Sequence, residues 1–217
     1  MAEDPYAAAR AERATSLAAE VALVYAAARI TMAASATPLQ IPGSFFARLK
    51  DVLGAGLLTA ATELGTLAGR NLGLGGDYDF TPSDSLKNFI GIAASEQASA
   101  QFDALGSTLG ELGLASDLQA GVQQAVDAAA AAARADVDTQ VTNVSWAAIT
   151  DAAVEAGMAT KTWHAGTNPR TSHLAQDGAT VGLEQRFPNG QRFPGSPAPP
   201  AERVNCNCWL SYSKGDV

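Results

Sequence analysis

Residues 116–157, "SDLQAGVQQAVDAAAAAARADVDTQVTNVSWAAITDAAVEAG", decide how this chain folds. Leu118, Val122, Val126, Ala129, Ala133, Val137, Val141, Val144, Ala148 and Ala152 step through the segment at intervals of three and four. That period lines one side of an α-helix and neither side of a strand. Ser116 with Gln119 three places on is a start signal of the capping type, and Gly157 is a stop signal. The alanine run is low in complexity, but the valines on both sides hold the helical period. The segment predicts a helix on the order of 60 Å long at 1.5 Å per residue. Thr139, Thr142, Asn143 and Ser145 are poor helix formers, so any break in the helix belongs there.

Upstream, the same grammar repeats. Asp4-Pro5 makes a cap and first turn, and Leu17, Val21, Val24, Ala28 and Met32 follow at helical spacing, predicting a helix over about 5–34. "ATPLQIPG" ends it with two prolines and a glycine. A second helix is expected from Ser44 to Leu72, with Phe45, Leu49, Val52 or Leu53, and Leu57 on one side. "GLGGDYDF" reads as a loop. "TPSD" then places Thr81 at an N-cap, Pro82 in the first turn and Asp84 reaching back, opening a third helix that runs to about 110–113.

The bulk numbers restrict function. Charged residues are 17% of the 217, below the roughly 25% of ordinary soluble domains. Either other protein chains cover part of the surface, or Ala-rich helices pack on each other. A net charge of −8 argues against gripping a nucleic-acid backbone, which needs clustered Lys and Arg. The opening "MAEDPYAAAR" is acidic where a secretory leader carries positive charge. "VALVYAAA", bounded by Glu20 and Arg29, is too short to span a bilayer, so the expectation is a soluble protein without a membrane partner. Two cysteines in "NCNC" suit a reducing compartment rather than a disulfide framework.

Near residue 160 the composition changes. Both histidines, both cysteines and two of the three tryptophans fall in 161–217. Asn189-Gly190 in "RFPNGQRF" is a strong hairpin signal, although Pro188 restricts the incoming strand. "PGSPAPPAE" is an extended connection, and the alternation in "NCNCWLSY" predicts a last strand through Cys206–Leu210. The chain therefore divides into a helical region (1–115), a long leading helix (116–159) and a small module (160–217). The fold class is α+β, with a β-hairpin in the module.

The string "KTWHAGTNPRTSHLAQDGATVGLEQRF…RFPGSPAPPAERVNCNCWL" resembles the C-terminal domain of the phage Mu F-like minor head proteins, also called head morphogenesis proteins, over about 160–210. The resemblance rests on Lys161, Trp163, Arg170, His173, Asp177, Gly178, Phe187 or Phe193, Pro194-Gly195-Ser196-Pro197, and Asn205-Cys206-Asn207-Cys208. Asn207 stands where that pattern has arginine, and Ser196 where aspartate is common. The resemblance implies a structural, non-enzymatic virion component present in few copies. Its partners would be portal or capsid proteins, it would reside in the head, after the host cytoplasm during assembly, and it would serve head assembly or DNA delivery; a homo-oligomer is a separate expectation.

The residues also admit chemistry. His173, Asp177, Cys206 and Cys208 form a candidate structural zinc set, with His164 the alternative fourth ligand, because imidazole and thiolate suit tetrahedral zinc and a loop-rich module gains from a staple. The plainer reading has His173 bonding backbone while the cysteines pack as small hydrophobes, and no cofactor at all. A metal-dependent hydrolase or a cysteine nucleophile at His173, Cys206 and Cys208 is the enzyme alternative, and an effector delivered with phage DNA is another. Asp177-Gly178 reads as a turn, Arg170 as paired with Asp177 or with a carboxylate of a partner protein, or by default solvated, His164 as an exposed loop residue, and Trp163 and Trp209 as module core.

Overall fold

The computed structural model describes residues 3–33, 40–112, 118–196 and 206–215. Four long helices come first: α1 (Ala7–Ala33), α2 (Phe45–Asn71), α3 (Asp84–Glu111) and α4 (Leu118–Glu155). After them come β1 (Thr160–His164), the one-turn helix α5 (Thr171–Leu174), β2 (Thr180–Gly182) and β3 (Trp209–Ser213). The class is α+β. Ser116, Pro38, Pro197 and Asn205, each given a role by the sequence, lie outside the described residues.

Periodicity translates directly into burial. Leu17, Val21, Val24, Ala28 and Met32 of α1 are buried, as are Phe45, Leu49, Leu53 and Leu57 of α2, so Leu53 and not Val52 carries the stripe. In α4, Val122, Val126, Ala133, Val137, Val141, Val144, Ala148 and Ala152 face inward. α4 packs against each of the other three helices. Alanines at the contacts (Ala60, Ala61, Ala68, Ala133, Ala148) are fully buried and let the backbones approach closely. The α4 helix runs 38 residues without a break. Thr139, Thr142, Asn143 and Ser145 cost it little propensity compared with the burial gained by Val141, Val144, Trp146 and Ile149.

The ends behave as physical chemistry requires, with one correction. At the close of α4, Gly157 has φ +68°, Met158 N–H donates to the Ala153 carbonyl (3.0 Å) and Gly157 N–H to the Val154 carbonyl (3.0 Å). This is the Schellman pattern, and only glycine takes that backbone without strain. The cap of α3 is Ser83, not Thr81. Ser83 Oγ accepts from Leu86 N–H (3.1 Å), because the helix begins two residues later than the Thr-Pro pair suggested. The "GLGGDYDF" loop folds back on α2: the Phe80 and Tyr78 rings lie over Gly65 and Gly69, where no Cβ would fit.

By length and composition alone, α1 and α2 each contain an 18-residue window of mean hydropathy 1.3, apolar enough to cross a membrane. The interval between Glu20 and Arg29 understated this, since alanines beyond both charges keep the average high. Of these windows, 33% and 44% of the residues are buried within the bundle.

The sheet has the order β2-β1-β3, antiparallel throughout. Trp163 pairs with Leu210 and Lys161 with Tyr212, and these four residues share the side that faces α4. Tyr212 Oη lies 3.0 Å from Thr150 Oγ1 of α4. Asn189-Gly190 makes a turn, with Gly190 at φ +83° and Phe187 N–H donating to the Gln191 carbonyl (2.8 Å). Among the described residues no strand flanks it. Pro188 and Pro194 remove ladder donors on either side, although Phe187, Gln191 and Phe193 still turn inward at even spacing. The last strand also starts later than expected, at Trp209, with Cys206 and Cys208 just ahead of it. One continuous hydrophobic cluster joins bundle and module.

Candidate functional site

β1 alternates strictly, and this places the first motif residues. Lys161 and Trp163 point inward, while Thr162 and His164 occupy the other side. The Trp163 ring meets the His173 ring edge-on at 5.5 Å and the Phe187 ring at 5.1 Å. Lys161 is fully buried, its Nζ 5.5 Å from the Phe187 centroid and without a hydrogen-bond partner. Burial, helped by the nearby Arg192 guanidinium, lowers the Lys161 pKa to about 8.

The 165–178 segment then brings His173 in. Gly166 presses on the Asn207 backbone so closely that a Cβ would collide with its carbonyl. Arg170, in extended backbone, starts α5, and α5 carries His173 into the interior at 1% exposure. Gly178, at φ +77°, donates to the Trp163 carbonyl (2.8 Å) and closes the loop onto β1. Cys206 and Cys208, two residues apart in extended chain, present both sulfurs to the same ring. Cys206 Sγ is 3.4 Å and Cys208 Sγ 3.5 Å from His173 Nδ1. All three ligand atoms lie within 4.8 Å of one another and all three residues are buried.

Two expected members stay out. Asp177 spends its carboxylate on the Ala165 N–H (2.9 Å), fixing the turn, and is not in the cluster. His164 is not an exposed loop residue: it sits in β1, stacks on Trp209 at 3.9 Å and shares a 2.8 Å hydrogen bond with Ser211 Oγ. Burial holds its pKa below the ordinary histidine value, against the pull of Asp177. Trp163 and Trp209 are core, as expected. Pro194-Gly195 lies on α4, where a Cβ at Gly195 would strike the Asn143 carboxamide.

The two thiols differ. A hydrogen bond from Cys206 pulls the Cys208 pKa below the ordinary thiol value, assisted by the Gly166 N–H and by His173, and against burial. The same contact with Cys208, and then burial, push Cys206 up. The space beside the cluster, under residues 166–170, is a cavity of about 10 Å³. That volume admits one water or one ion and no organic substrate. Gly166 and the burial of Lys161 were not singled out by the sequence reading. The first had a signal in "AGTNP", a turn-rich stretch in which glycine allows close approach; the second had none beyond the alternation of β1.

No protein-family model, curated protein or solved structure matches the chain.

Proposed function

We propose that the chain is a structural minor head protein of a tailed bacteriophage. On this reading it docks at the portal vertex or inner capsid through its helical region and acts in head assembly or genome delivery. What supports the reading is the fate of the residues that carry the resemblance. Lys161, Trp163, His173, Phe187, Cys206 and Cys208 are all buried and converge on one small core, and the cavity beside it, about 10 Å³, is too small for an organic substrate. Residues spent this way specify a fold. Leu23 and Ile30, two turns apart on one side of α1 and 70% and 67% exposed, supply an apolar place for a neighbouring subunit.

Mass spectrometry of purified particles from cells carrying the gene tests this reading. The expected outcome is co-purification with the head at low copy number, reduced in a Leu23→Glu/Ile30→Glu variant. A chain absent from particles overturns it.

A second reading, a cysteine-nucleophile enzyme, draws on the lowered pKa of Cys208 beside His173. It requires substrate to reach a sulfur that is 1% exposed. Turnover abolished by Cys208→Ala would favour it.

A further inference from the structure

We propose that His173, Cys206 and Cys208 bind one borderline-soft divalent metal, Zn(II) being the ion that fits, through Nδ1 and two thiolates. The site stands whether or not the chain belongs to a virion. Its first support is convergence: one imidazole nitrogen and two sulfurs, all buried, lie within 4.8 Å of one another. The two sulfurs sit at 3.4 and 3.5 Å from Nδ1. Three soft or borderline donors aimed at one buried point make a metal-ligand set.

The distances agree with this. Zn–N of about 2.05 Å and Zn–S of about 2.3 Å at tetrahedral angles place N and S about 3.5 Å apart. Both N–S separations match, and the two sulfurs, within 4.8 Å of each other, need only close toward the roughly 3.8 Å of a tetrahedral site. The donor set also chooses the metal. One imidazole and two sulfurs suit Zn(II), whereas Mg(II) and Ca(II) require oxygen, and Asp177, the nearest expected carboxylate, is bonded to Ala165.

Around the ligands, the edge of Trp163 packs on the imidazole, and the Gly166 N–H points at Cys208 Sγ, a donor that supports a metal-bound thiolate. Among the described residues no fourth His, Cys, Asp or Glu joins the group, so the fourth position falls to a water in the cavity of about 10 Å³. Binding releases the two thiol protons to solvent and leaves the imidazole neutral. The ion would tie α5 to the chain entering β3, across 33 and 35 residues of sequence.

The test uses the full chain, purified under reducing conditions without chelator and assayed for metal by mass spectrometry. It is then stripped and titrated with Co(II). We expect one metal per chain, and on titration intense visible d–d bands with a thiolate-to-cobalt charge-transfer band, both lost on adding Zn(II). Cys208→Ser and His173→Ala should each weaken Co(II) binding by at least about tenfold. Because either variant can fail to fold, wild-type protection is read as well: Zn(II) should slow alkylation of both cysteines. A folded wild-type chain that gives no such bands with stoichiometric Co(II), or cysteines alkylated at the same rate with and without Zn(II), overturns the site. So does a Cys206–Cys208 disulfide that persists when Zn(II) is supplied with reductant.

Discussion

The bundle and the module bury themselves by opposite means. Within the bundle the interior is repetitive, with alanine, leucine and valine recurring along four helices and many small contacts sharing the work. In the module the interior is a handful of unlike side chains, each in a single role: Trp163 between His173 and Phe187, Lys161 over Phe187, Gln191 and Ser196 fully enclosed. Redundancy tolerates loss, because neighbours of a deleted methyl group relax toward it. A core of singular parts does not, and buried polar atoms raise the stakes further.

The largest effect should come from Trp163→Ala. Truncating a fully buried indole at the centre of the module is expected to cost about 3–5 kcal/mol in urea unfolding. Ala60→Gly in the bundle, losing one methyl and some helix propensity, should cost on the order of 1 kcal/mol. Equal costs for the two would break the contrast.

Lys161→Met sharpens it through pH. The folded pKa, lowered to about 8 from the ordinary 10.5, means that the unfolded chain holds a proton the folded one has released between those values. Wild-type stability should therefore rise with pH across that window, by up to about 1.4 kcal/mol per unit, and Lys161→Met should flatten the rise. At pH 7, where both states are protonated and burial is unfavourable, the variant should be as stable as wild type or more so. Parallel pH profiles would show that the lysine is solvated.

The smallest effect tests local rather than core chemistry. Ser83→Ala should cost about 1 kcal/mol through the lost bond to Leu86 N–H, and Thr81→Ala clearly less. Thermal unfolding of the two variants side by side locates the cap.

The same contrast explains what the sequence made legible. Helix bounds in the bundle are local facts, encoded by a stripe of period 3.6 and by residues such as Gly157 within a turn of the end. The Ser83 cap was misplaced by only two positions, because Thr-Pro and Ser-Asp compete within four residues. Strand pairing is a distant fact. β1 finds β3 across more than forty residues, so the Asn189-Gly190 turn, a good local signal, had no strands to join. The meeting of His173 with both cysteines was readable, since positions two apart in extended chain share a side. The exclusion of Asp177 was not, because its rival partner, the Ala165 N–H, is visible only once the loop has closed.

The unbroken α4 also fixes an angle. Its buried residues serve the bundle along its length, and from Asn143 onward the helix also meets the module, with no kink between to absorb rotation. Each residue added or removed in that span turns everything beyond it by about 100° and shifts it 1.5 Å along the axis. Insertions of one or two residues would swing the Asn143 and Thr150 contacts away from Gly195 and Tyr212, whereas seven residues return them to within about 20° of register. The length of this helix is therefore quantised: relatives of the chain should differ in it by near-whole turns, as the teeth of a gear differ by whole steps.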